Sequence, residues 1–309
     1  MAEIIKPPEY NQLFLISLGL CLAIINKIRR TIIGYTSPRP FSIKEIERNV
    51  KYCLNAVHNW EEVLKIYTNS ANPFTGKNVL ELCPGQDIGT GIIILALGAK
   101  SYTAVDKNKL MYRTPSTFYN VLLNHLEKLP GYETAQKAAA DFQKSEFNGS
   151  IRYIWDARFD LQQLSSEKFD ILVSQAVLEH IVDIHAIFQI LYFKLKPNAV
   201  MVHEVDLGTH TGFIRDLDPL NLLRYSDTVW NLVKFDGSPN RLRMTDYQNI
   251  FTELGFVKVE TKQKMVLDSE YVKKVKPWLS AEFRKYPEYD IETKSFYLLA
   301  QKEMGTENE

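Results

Sequence analysis

The stretch NVLELCPGQDIGTGIIILALGAKSYTAVD, residues 78–106, decides the fold. It reads as a buried strand, a glycine-rich turn, a helix and a second strand that ends in a carboxylate. Gly85, Gly89 and Gly91 allow tight turns and a close approach of the backbone to a ligand. Asp106 lies 21 residues after Gly85, near the ~20-residue spacing at which an acidic residue reaches ribose hydroxyls. The segment therefore predicts a nucleoside-containing ligand at the carboxyl ends of the strands.

Alternating apolar runs and helical stretches continue this pattern towards the C-terminus. The candidate strands are Asn78–Cys83, Ser101–Asp106, Ile151–Asp156, Phe169–Ser174, Ala199–Asp206, Phe256–Lys264 and Ser295–Gln301. Because helical patterns lie between most of them, we expect an α/β protein with a largely parallel sheet. The last two strands alternate apolar and polar residues, as less buried or antiparallel strands do.

The texture of the sequence divides the chain into four parts. They are an apolar N-terminal helix with a basic flank (1–37), a helical extension (38–76), a main domain (77–302) and a disordered tail (303–309). Pro38 and Pro40 mark the first break. The main domain carries two insertions, 107–150 and 207–240, after strands near the middle of such a sheet. We expect both to form a lid over the ligand.

Composition and charge exclude several classes of protein. The 309 residues are 45% hydrophobic and 24% charged, which is ordinary for a globular protein. The 37 Lys and Arg residues balance 37 Asp and Glu residues, so a nucleic-acid partner, which normally needs a basic face, is disfavoured. Cys21, Cys53 and Cys83 are far apart and odd in number, unlike a disulfide framework or a CxxC metal site. This cysteine pattern indicates a reduced, cytoplasmic setting.

An apolar run, LFLISLGLCLAII, spans residues 13–25 and is followed at once by Lys27, Arg29 and Arg30. It is shorter than the ~20 apolar residues of a spanning helix. It is also a poor secretory signal, because acidic residues outnumber the single Lys6 before it and no small-residue cleavage site follows. Two interpretations remain. The slightly favoured one is a helix packed on its own domain or on a partner subunit, and the other is a membrane anchor whose basic flank faces anionic headgroups.

Five motifs, in the right order, resemble those of class I S-adenosylmethionine-dependent methyltransferases over residues 77–302. Glu81-Leu82-Cys83-Pro84-Gly85 resembles their first motif, and Asp106 matches the second-strand acid that holds the ribose. The other three matches are Trp155-Asp156-Ala157 (the acid–Ala pair that frames the adenine), Phe169-Asp170-Ile171-Leu172-Val173-Ser174 with Val177-Leu178-Glu179-His180-Ile181 (the fourth strand and the helix start behind it) and Leu195-Lys196-Pro197-Asn198 (the turn before the fifth strand).

The resemblance implies a Rossmann-like fold with a seven-stranded, mostly parallel sheet, an antiparallel last strand and a helical N-terminal extension. It implies S-adenosylmethionine as the cofactor. The residues that it assigns to cofactor binding are Glu81, Gly85, Gly89, Asp106, Asp156, Ala157 and Ser174. The sequence departs from the family at Cys83, where the first glycine normally stands, and in the wider spacing between Gly85 and Gly89.

Methyl transfer needs an acceptor nucleophile in line with the sulfonium methyl, so the protein has to align the reactants and supply a base. The predicted catalytic residues are His180, His203 and Asp206, and the predicted substrate-binding residues are His210, Arg241 and Arg243. Histidine suits the task because its unperturbed pKa is ~6.5. Structural alternatives are favoured at three of these positions: His180 as a residue that caps or packs a helix start, and the two arginines as a solvated face.

The same region contains metal-ligand residue types, in Glu179, His180 and the histidines near Asp206. Ubiquinone-pathway O-methyltransferases, which this segment is similar to, have a further Glu three residues before the Glu-His pair. This chain has Ala176 there. We therefore expect no metal site.

Together these features predict an enzyme that transfers a methyl group from S-adenosylmethionine to a small-molecule, lipid or glycan acceptor. An NAD(P)-dependent oxidoreductase would use the same glycine turn and Asp106, but the GxGxxG pattern is absent. A non-catalytic methyltransferase-like scaffold is the second alternative, and Cys83 motivates it. The sequence indicates neither the acceptor nor the oligomeric state.

Overall fold

An eight-stranded sheet forms the centre of the protein. The computed structural model describes residues 2–34, 41–144, 149–164 and 168–304. In these residues the strands are β1 (Glu3–Ile5), β2 (Asn78–Leu82), β3 (Ser101–Asp106), β4 (Ile151–Trp155), β5 (Phe169–Gln175), β6 (Leu195–Asp206), β7 (Phe256–Leu267) and β8 (Thr293–Lys302). Their order is β1-β7-β8-β6-β5-β2-β3-β4. Strand β8 pairs antiparallel with β6 and β7, and the other pairs are parallel.

All seven predicted strands are present. Numbered in chain order, they run 3-2-1-4-5-7-6, which follows the Rossmann order as far as the fifth strand. The predicted Rossmann-like α/β fold, with a mostly parallel sheet and an antiparallel last strand, is confirmed. The strand count was wrong by one, because Glu3–Ile5 adds a short parallel edge to β7, with Ile4 opposite Val266. Three residues are too few to show an alternating pattern.

Helices cover both faces of the sheet. They are α1 (Gln12–Ile33), α2 (Ile46–Thr68), α3 (Gly89–Ala96), α4 (Ser116–Asn124), α5 (Tyr132–Gln143), α6 (Ile184–Lys194), α7 (Ile214–Leu217), α8 (Asp227–Val233), α9 (Met244–Glu253), α10 (Ser269–Val275) and α11 (Glu288–Glu292). Helices α2 to α5 bury their apolar residues against one face, and α6 and α9 bury theirs against the other. The buried Trp60 anchors α2 on its face. These two layers leave the carboxyl ends of the parallel strands open for a ligand.

The two insertions differ in position. The first, 107–150, provides α4 and α5, whose Phe118, Tyr119 and Leu122 are buried beside α3. Most of this insertion therefore packs on the sheet rather than forming the lid that we expected. The second, 207–240, provides α7 and α8 and lies over the strand ends, as the lid prediction requires.

Helix α1 packs on the second insertion through a narrow stripe, in which Leu15 and Gly19 are buried. Asn221 donates from Nδ2 to the Leu15 carbonyl over 3.0 Å, and Tyr225 donates to the Ile16 carbonyl over 2.9 Å. This supports the packed interpretation for one side of the helix. By length and composition α1 could also cross a membrane, and only a small part of it is buried in the protein. The predicted break at Pro38 and Pro40 and the end of the tail, 305–309, lie outside the described residues.

Candidate active site

A cavity of about 1270 Å³ lies at the carboxyl ends of β2, β3, β5 and β6. In a doubly wound sheet this is the place where the strand order reverses and where ligands bind. The glycine turn after β2, the loops after β5 and β6, the second insertion and the inner sides of α1 and α2 form its walls. The volume exceeds the roughly 300–1,000 Å³ of a typical small-molecule site, so the cavity has room for two ligands.

Asp106 ties the glycine turn to the end of β3. The Gly85 N–H donates to Asp106 Oδ2 over 3.0 Å, and the Asn108 N–H donates to Oδ1 over 2.7 Å. Asp106 is buried apart from the side that faces the cavity, and this burial raises its pKa to about 6. A carboxylate has about four acceptor positions, so each oxygen can still accept a hydrogen bond from a ligand.

Glu81 also reaches the cavity, from the buried end of β2. Its Oε2 accepts hydrogen bonds from the Thr90 hydroxyl over 2.6 Å and from the Tyr102 hydroxyl over 2.8 Å. Burial raises the pKa of Glu81 to about 7, although both hydroxyls favour the ionised form. These contacts fix the carboxylate beside the turn.

Cys83 stands in the left-handed region, with φ of 50°, next to Gly85 with φ of 84°. A left-handed conformation costs a residue with a side chain roughly 1–2 kcal/mol relative to glycine. This explains why the resembled family has glycine at that position. Burial raises the pKa of the Cys83 thiol well above its usual value, so the thiol stays protonated beside the ligand space.

The two later glycines serve packing. A Cβ on Gly91 would lie 2.3 Å from the Tyr102 ring, and one on Gly89 would lie 2.9 Å from Cys53 Sγ and from Phe118. Both glycines therefore let α3 approach its neighbours. Gly89 does not line the cavity. The structure therefore contradicts the prediction that Gly89 contacts the cofactor, and makes Gly89 a packing residue.

The loops after β5 and β6 bring His180, His210 and Asp206 together on the cavity wall. The two imidazole rings have centroids 4.9 Å apart, and His210 Nε2 lies 3.6 Å from Asp206 Oδ2. His180 Nδ1 is 2.7 Å from the Gly237 carbonyl, which can only accept, so Nδ1 carries the proton and Nε2 keeps its lone pair.

Electrostatics separate the three groups. Burial, with His210 next to it, lowers the pKa of His180 to about 4, so its ring is neutral. Burial alone would raise the pKa of Asp206, but His210 and Lys294 together hold it below its usual value. Asp206 is thus an ionised carboxylate beside His210.

Glu179 lies behind this wall and is almost completely buried. Neither of its carboxylate oxygens has a hydrogen-bond partner among the described residues. Burial and the proximity of Asp206 raise its pKa well above its usual value. Glu179, His180 and His210 each place one ligand-type atom within 4.8 Å of the others, so these three side chains are spaced as metal ligands could be.

A protein-family model described as "Methyltransferase domain" matches residues 58–261. The chain belongs to this methyltransferase family. A comparison with curated proteins finds no match.

Among solved structures, the methyltransferase is similar to magnesium protoporphyrin IX methyltransferase (ChlM) from Synechocystis PCC 6803 with bound SAH. The two sequences are 16% identical, the match covers 93% of this chain and 99% of that chain, and the TM-score is 0.42. It is also similar to phosphoethanolamine N-methyltransferase 2 from Haemonchus contortus in complex with S-adenosyl-L-methionine: 16% identity, 80% of this chain, TM-score 0.43. A third is the CurJ carbon methyltransferase: 15% identity, 80% of this chain, TM-score 0.43. The chain spans about half the length of the last two, 53% and 54%.

Two predicted cofactor contacts of the methyltransferase, Asp156 and Ala157, do not line the cavity. The Asp156 carboxylate accepts hydrogen bonds within its own loop, from the Arg158 N–H over 2.8 Å and from Gln163 Nε2 over 2.7 Å. Hydrogen bonds of this loop hold the pKa of Asp156 below its usual value. Phe159, which the motif comparison missed, lines the cavity in their place.

His203 and Ser174 lie in the core of the methyltransferase, where both are fully buried. Ser174 Oγ is 2.7 Å from His203 Nδ1, and the His203 ring packs against Phe188 and Phe251. Burial lowers the pKa of His203 to about 3. The structure therefore contradicts a catalytic role for His203 and a cofactor contact through Ser174, because these side chains point under α6 and α9 rather than into the cavity.

Arg241 and Arg243 are buried as well, so the predicted solvated face is wrong. Arg243 donates from Nη2 to the carbonyls of Asp290 and Thr293 over 2.8 and 2.7 Å. Arg241 donates to the Tyr225 carbonyl over 2.6 Å and forms ion pairs with Asp227 and Glu282. Neither lines the cavity, so the structure contradicts the prediction that they bind substrate. They fasten the second insertion to the C-terminal segment.

Four cavity residues that the sequence did not reveal come from α2: Arg48, Asn49, Tyr52 and Cys53. Asn49 and Tyr52 line the cavity, and Gln86 of the glycine turn donates to Asn49 Oδ1 over 2.8 Å. The only available signal was a polar residue, Asn49, within the apolar stripe of that helix. The helical extension is therefore part of the site.

Proposed function

We propose that the protein transfers a methyl group from S-adenosylmethionine to a small-molecule or lipid-like acceptor. The observation that carries the proposal is the glycine turn, in which Gly85 is bound to Asp106 at the mouth of a two-ligand cavity within the methyltransferase family match. A ribose needs two acceptors for its hydroxyls, and Asp106 offers both oxygens.

The cofactor end of the cavity is the end with Glu81, Gly85 and Asp106. We propose that the adenine contacts Asn108, whose N–H is bonded to Asp106, and Phe159, which both line the cavity. The Phe159 ring supplies an apolar face on which a purine can stack. The sulfonium methyl would then point towards the wall formed by the loops after β5 and β6.

At the acceptor end we propose that His210 is the general base. Asp206 orients its ring, and the 3.6 Å separation can shorten when the ligands bind, as catalytic hydrogen bonds often do. When bound, S-adenosylmethionine would supply a methyl group on a sulfonium, with the thioether sulfur as leaving group. His210 would take the proton of the acceptor heteroatom as that atom becomes bonded to the methyl carbon. His180, with its pKa lowered to about 4, is a poor proton acceptor, so we assign its free Nε2 to positioning the acceptor.

The transfer as proposed uses no metal. Methyl transfer is expected to persist after dialysis against EDTA, because Asp206 and His210 supply the base. Loss of activity in EDTA that Mg²⁺ or Mn²⁺ restores would instead assign Glu179, His180 and His210 to a cation.

A lipid-like acceptor gives a role to α1, and we propose that α1 contacts a membrane. The setting that fits three free cysteines is the cytoplasm. The balance of charge still offers no footprint for nucleic acid.

The test is a calorimetric titration of the purified protein with S-adenosylmethionine, S-adenosylhomocysteine and NAD in parallel. Binding of the first two without binding of NAD supports the proposal. Binding of NAD alone would favour the oxidoreductase, and binding of none would favour a scaffold.

A further inference from the structure

The distribution of residues on α1 is the reverse of that in an ordinary surface helix. Every residue of Gln12–Ile33 is described, and its exposed positions are Leu13, Phe14, Ser17, Cys21, Ile24, Ile25, Ile28, Arg29, Thr31, Ile32 and Ile33. One of them, Arg29, is charged. Exposure reaches 77% at Ile32 and 74% at Ile33. A helix at the surface of a soluble protein normally turns such a face towards the core.

The opposite side of α1 faces the protein. Asn26 and Arg30 line the cavity there, together with the small residues Gly19 and Ala23, and the exposed Arg29 reaches the cavity from the edge between the two sides. A Cβ on Gly19 would lie 2.0 Å from Asn221 Oδ1, so this side is fitted to the second insertion. Because this side is docked, the apolar side is left outward.

All charged residues within α1 are basic. No acidic residue occurs between Glu9 and Glu45, whereas Lys27, Arg29 and Arg30 follow each other in the last turns of the helix. A continuous apolar face with basic residues at one end is the pattern of a helix that lies in the interface of an anionic membrane.

We infer that α1 lies flat on the surface of an anionic membrane while it remains docked on the protein. The hydrogen bonds from Asn221 and Tyr225 to the α1 backbone exclude a spanning orientation of the docked helix. Since the inner side of the same helix is a wall of the cavity, membrane binding places the cavity beside the bilayer. The consequence that a lipid-like acceptor reaches the cavity from the membrane rests on the proposed function. Membrane binding itself can be tested without measuring catalysis.

The first experiment is flotation of the full chain with vesicles of phosphatidylcholine mixed with phosphatidylglycerol. Replacing both Ile28 and Ile32 by Glu places two charges on the outward face and should weaken vesicle binding by roughly 10-fold or more. The matched control replaces Ile43 and Ile66 by Glu; both are exposed isoleucines outside α1, and this variant should bind like the wild type. Pure phosphatidylcholine and high salt should both reduce binding of the wild type.

The second experiment distinguishes the orientations. Cys21 is the exposed thiol on the outward face, whereas Cys53 is buried, so a bimane label on Cys21 reports the depth of α1. Quenching by lipids spin-labelled near the headgroup supports the flat orientation, and quenching at the bilayer centre overturns it. Absence of flotation, or flotation that the Ile28 and Ile32 changes leave intact, also overturns the inference. A dimer in sedimentation velocity that those changes dissolve would assign the face to a second copy instead.

Titration of the same preparations with S-adenosylmethionine keeps the two proposals separate. Flotation without cofactor binding would refute the proposed function and leave the membrane contact standing. Cofactor binding without flotation would do the reverse.

Discussion

Two aspartates of this protein organise loops in the same way, and one of them faces the cavity. Asp106 accepts hydrogen bonds from the N–H groups of Gly85 and Asn108, and Asp156 accepts them from its own loop. Family motifs predicted both as cofactor ligands, whereas the structure places Asp106 alone of the two on the cavity wall. Asp106→Ala and Asp156→Ala are therefore a matched pair.

For Asp106→Ala we expect S-adenosylmethionine binding to weaken by about 10- to 150-fold. This corresponds to roughly 1.5–3 kcal/mol, the typical contribution of hydrogen bonds to a charged group. The substitution also releases the two N–H groups at 3.0 and 2.7 Å, which loosens the turn and makes the upper part of that range the expectation. Asp156→Ala should weaken binding only a few-fold, because Asp156 does not line the cavity and acts only by ordering the loop that carries Phe159.

The assay is calorimetric titration of each folded variant, with circular dichroism and thermal unfolding as the check that folding is retained. Asp106→Asn is the milder companion, because it keeps one acceptor oxygen and should lose less affinity. Equal affinities of Asp106→Ala and wild type would refute the placement of the ribose. An equal loss in Asp156→Ala would show that loop order, and not contact with the ligand, sets the affinity.

Three further predictions concern the ionisation of Asp106, the backbone at Cys83 and the roles of the two histidines. Burial raises the pKa of Asp106 to about 6, so its carboxylate is protonated below that pH. Cofactor affinity should therefore rise as pH increases through 6 in the wild type, and much less in Asp106→Asn. A wild-type affinity that does not change with pH would contradict this. The same raised pKa means that ionised Asp106 costs folding free energy: the cost is negligible below its usual pKa of 3.8, grows between pH 3.8 and 6 and stays constant above pH 6. Cys83→Gly should stabilise the protein by about 1 kcal/mol in thermal unfolding by relieving a φ of 50°, with cofactor affinity nearly unchanged; a large gain in affinity would indicate a decayed site. His210→Asn should lower kcat by roughly 10²–10⁴-fold without loss of stability. His203→Asn should lower stability, because His203 is fully buried, with little effect on the kcat of the folded fraction. The opposite pattern would identify His203 as the base.

The sheet was predictable because its strands are short apolar runs between turn signals. The predicted and observed starts of five strands coincide, at Asn78, Ser101, Ile151, Phe169 and Phe256. Local patterns of this kind reflect burial on both faces, which parallel strands require. Strand β1 escaped because a three-residue edge depends on its partner β7 and not on its own pattern.

The cofactor end of the site was predictable where one segment contains all of its parts. Gly85 and Asp106 belong to a single βαβ unit, so their spacing alone places them together. Phe159 could not be found in this way, because the loop after β4 folds on the Asp156 carboxylate and turns its fourth residue inward.

The acceptor end depends on contacts between distant segments, and there the sequence was a poorer guide. His203 and His210 stand seven residues apart, yet one is a core residue under α6 and the other lines the cavity, since β6 ends between them at Asp206. Arg243 looks like a surface residue in sequence, but its partners are carbonyl groups about 50 residues further along the chain. Residues of this kind show their role only once the chain has folded around them.

The central claim is methyl transfer, and the most direct measurement is transfer of tritium from S-adenosyl-[methyl-³H]methionine. The purified protein would be incubated separately with a membrane-lipid extract in vesicles and with a water-soluble metabolite pool. We expect tritium label in an extractable product of the lipid fraction. This label should be absent with His210→Asn and present with His203→Asn. No labelled product from either pool, with a protein that binds the cofactor and floats with vesicles, would contradict it.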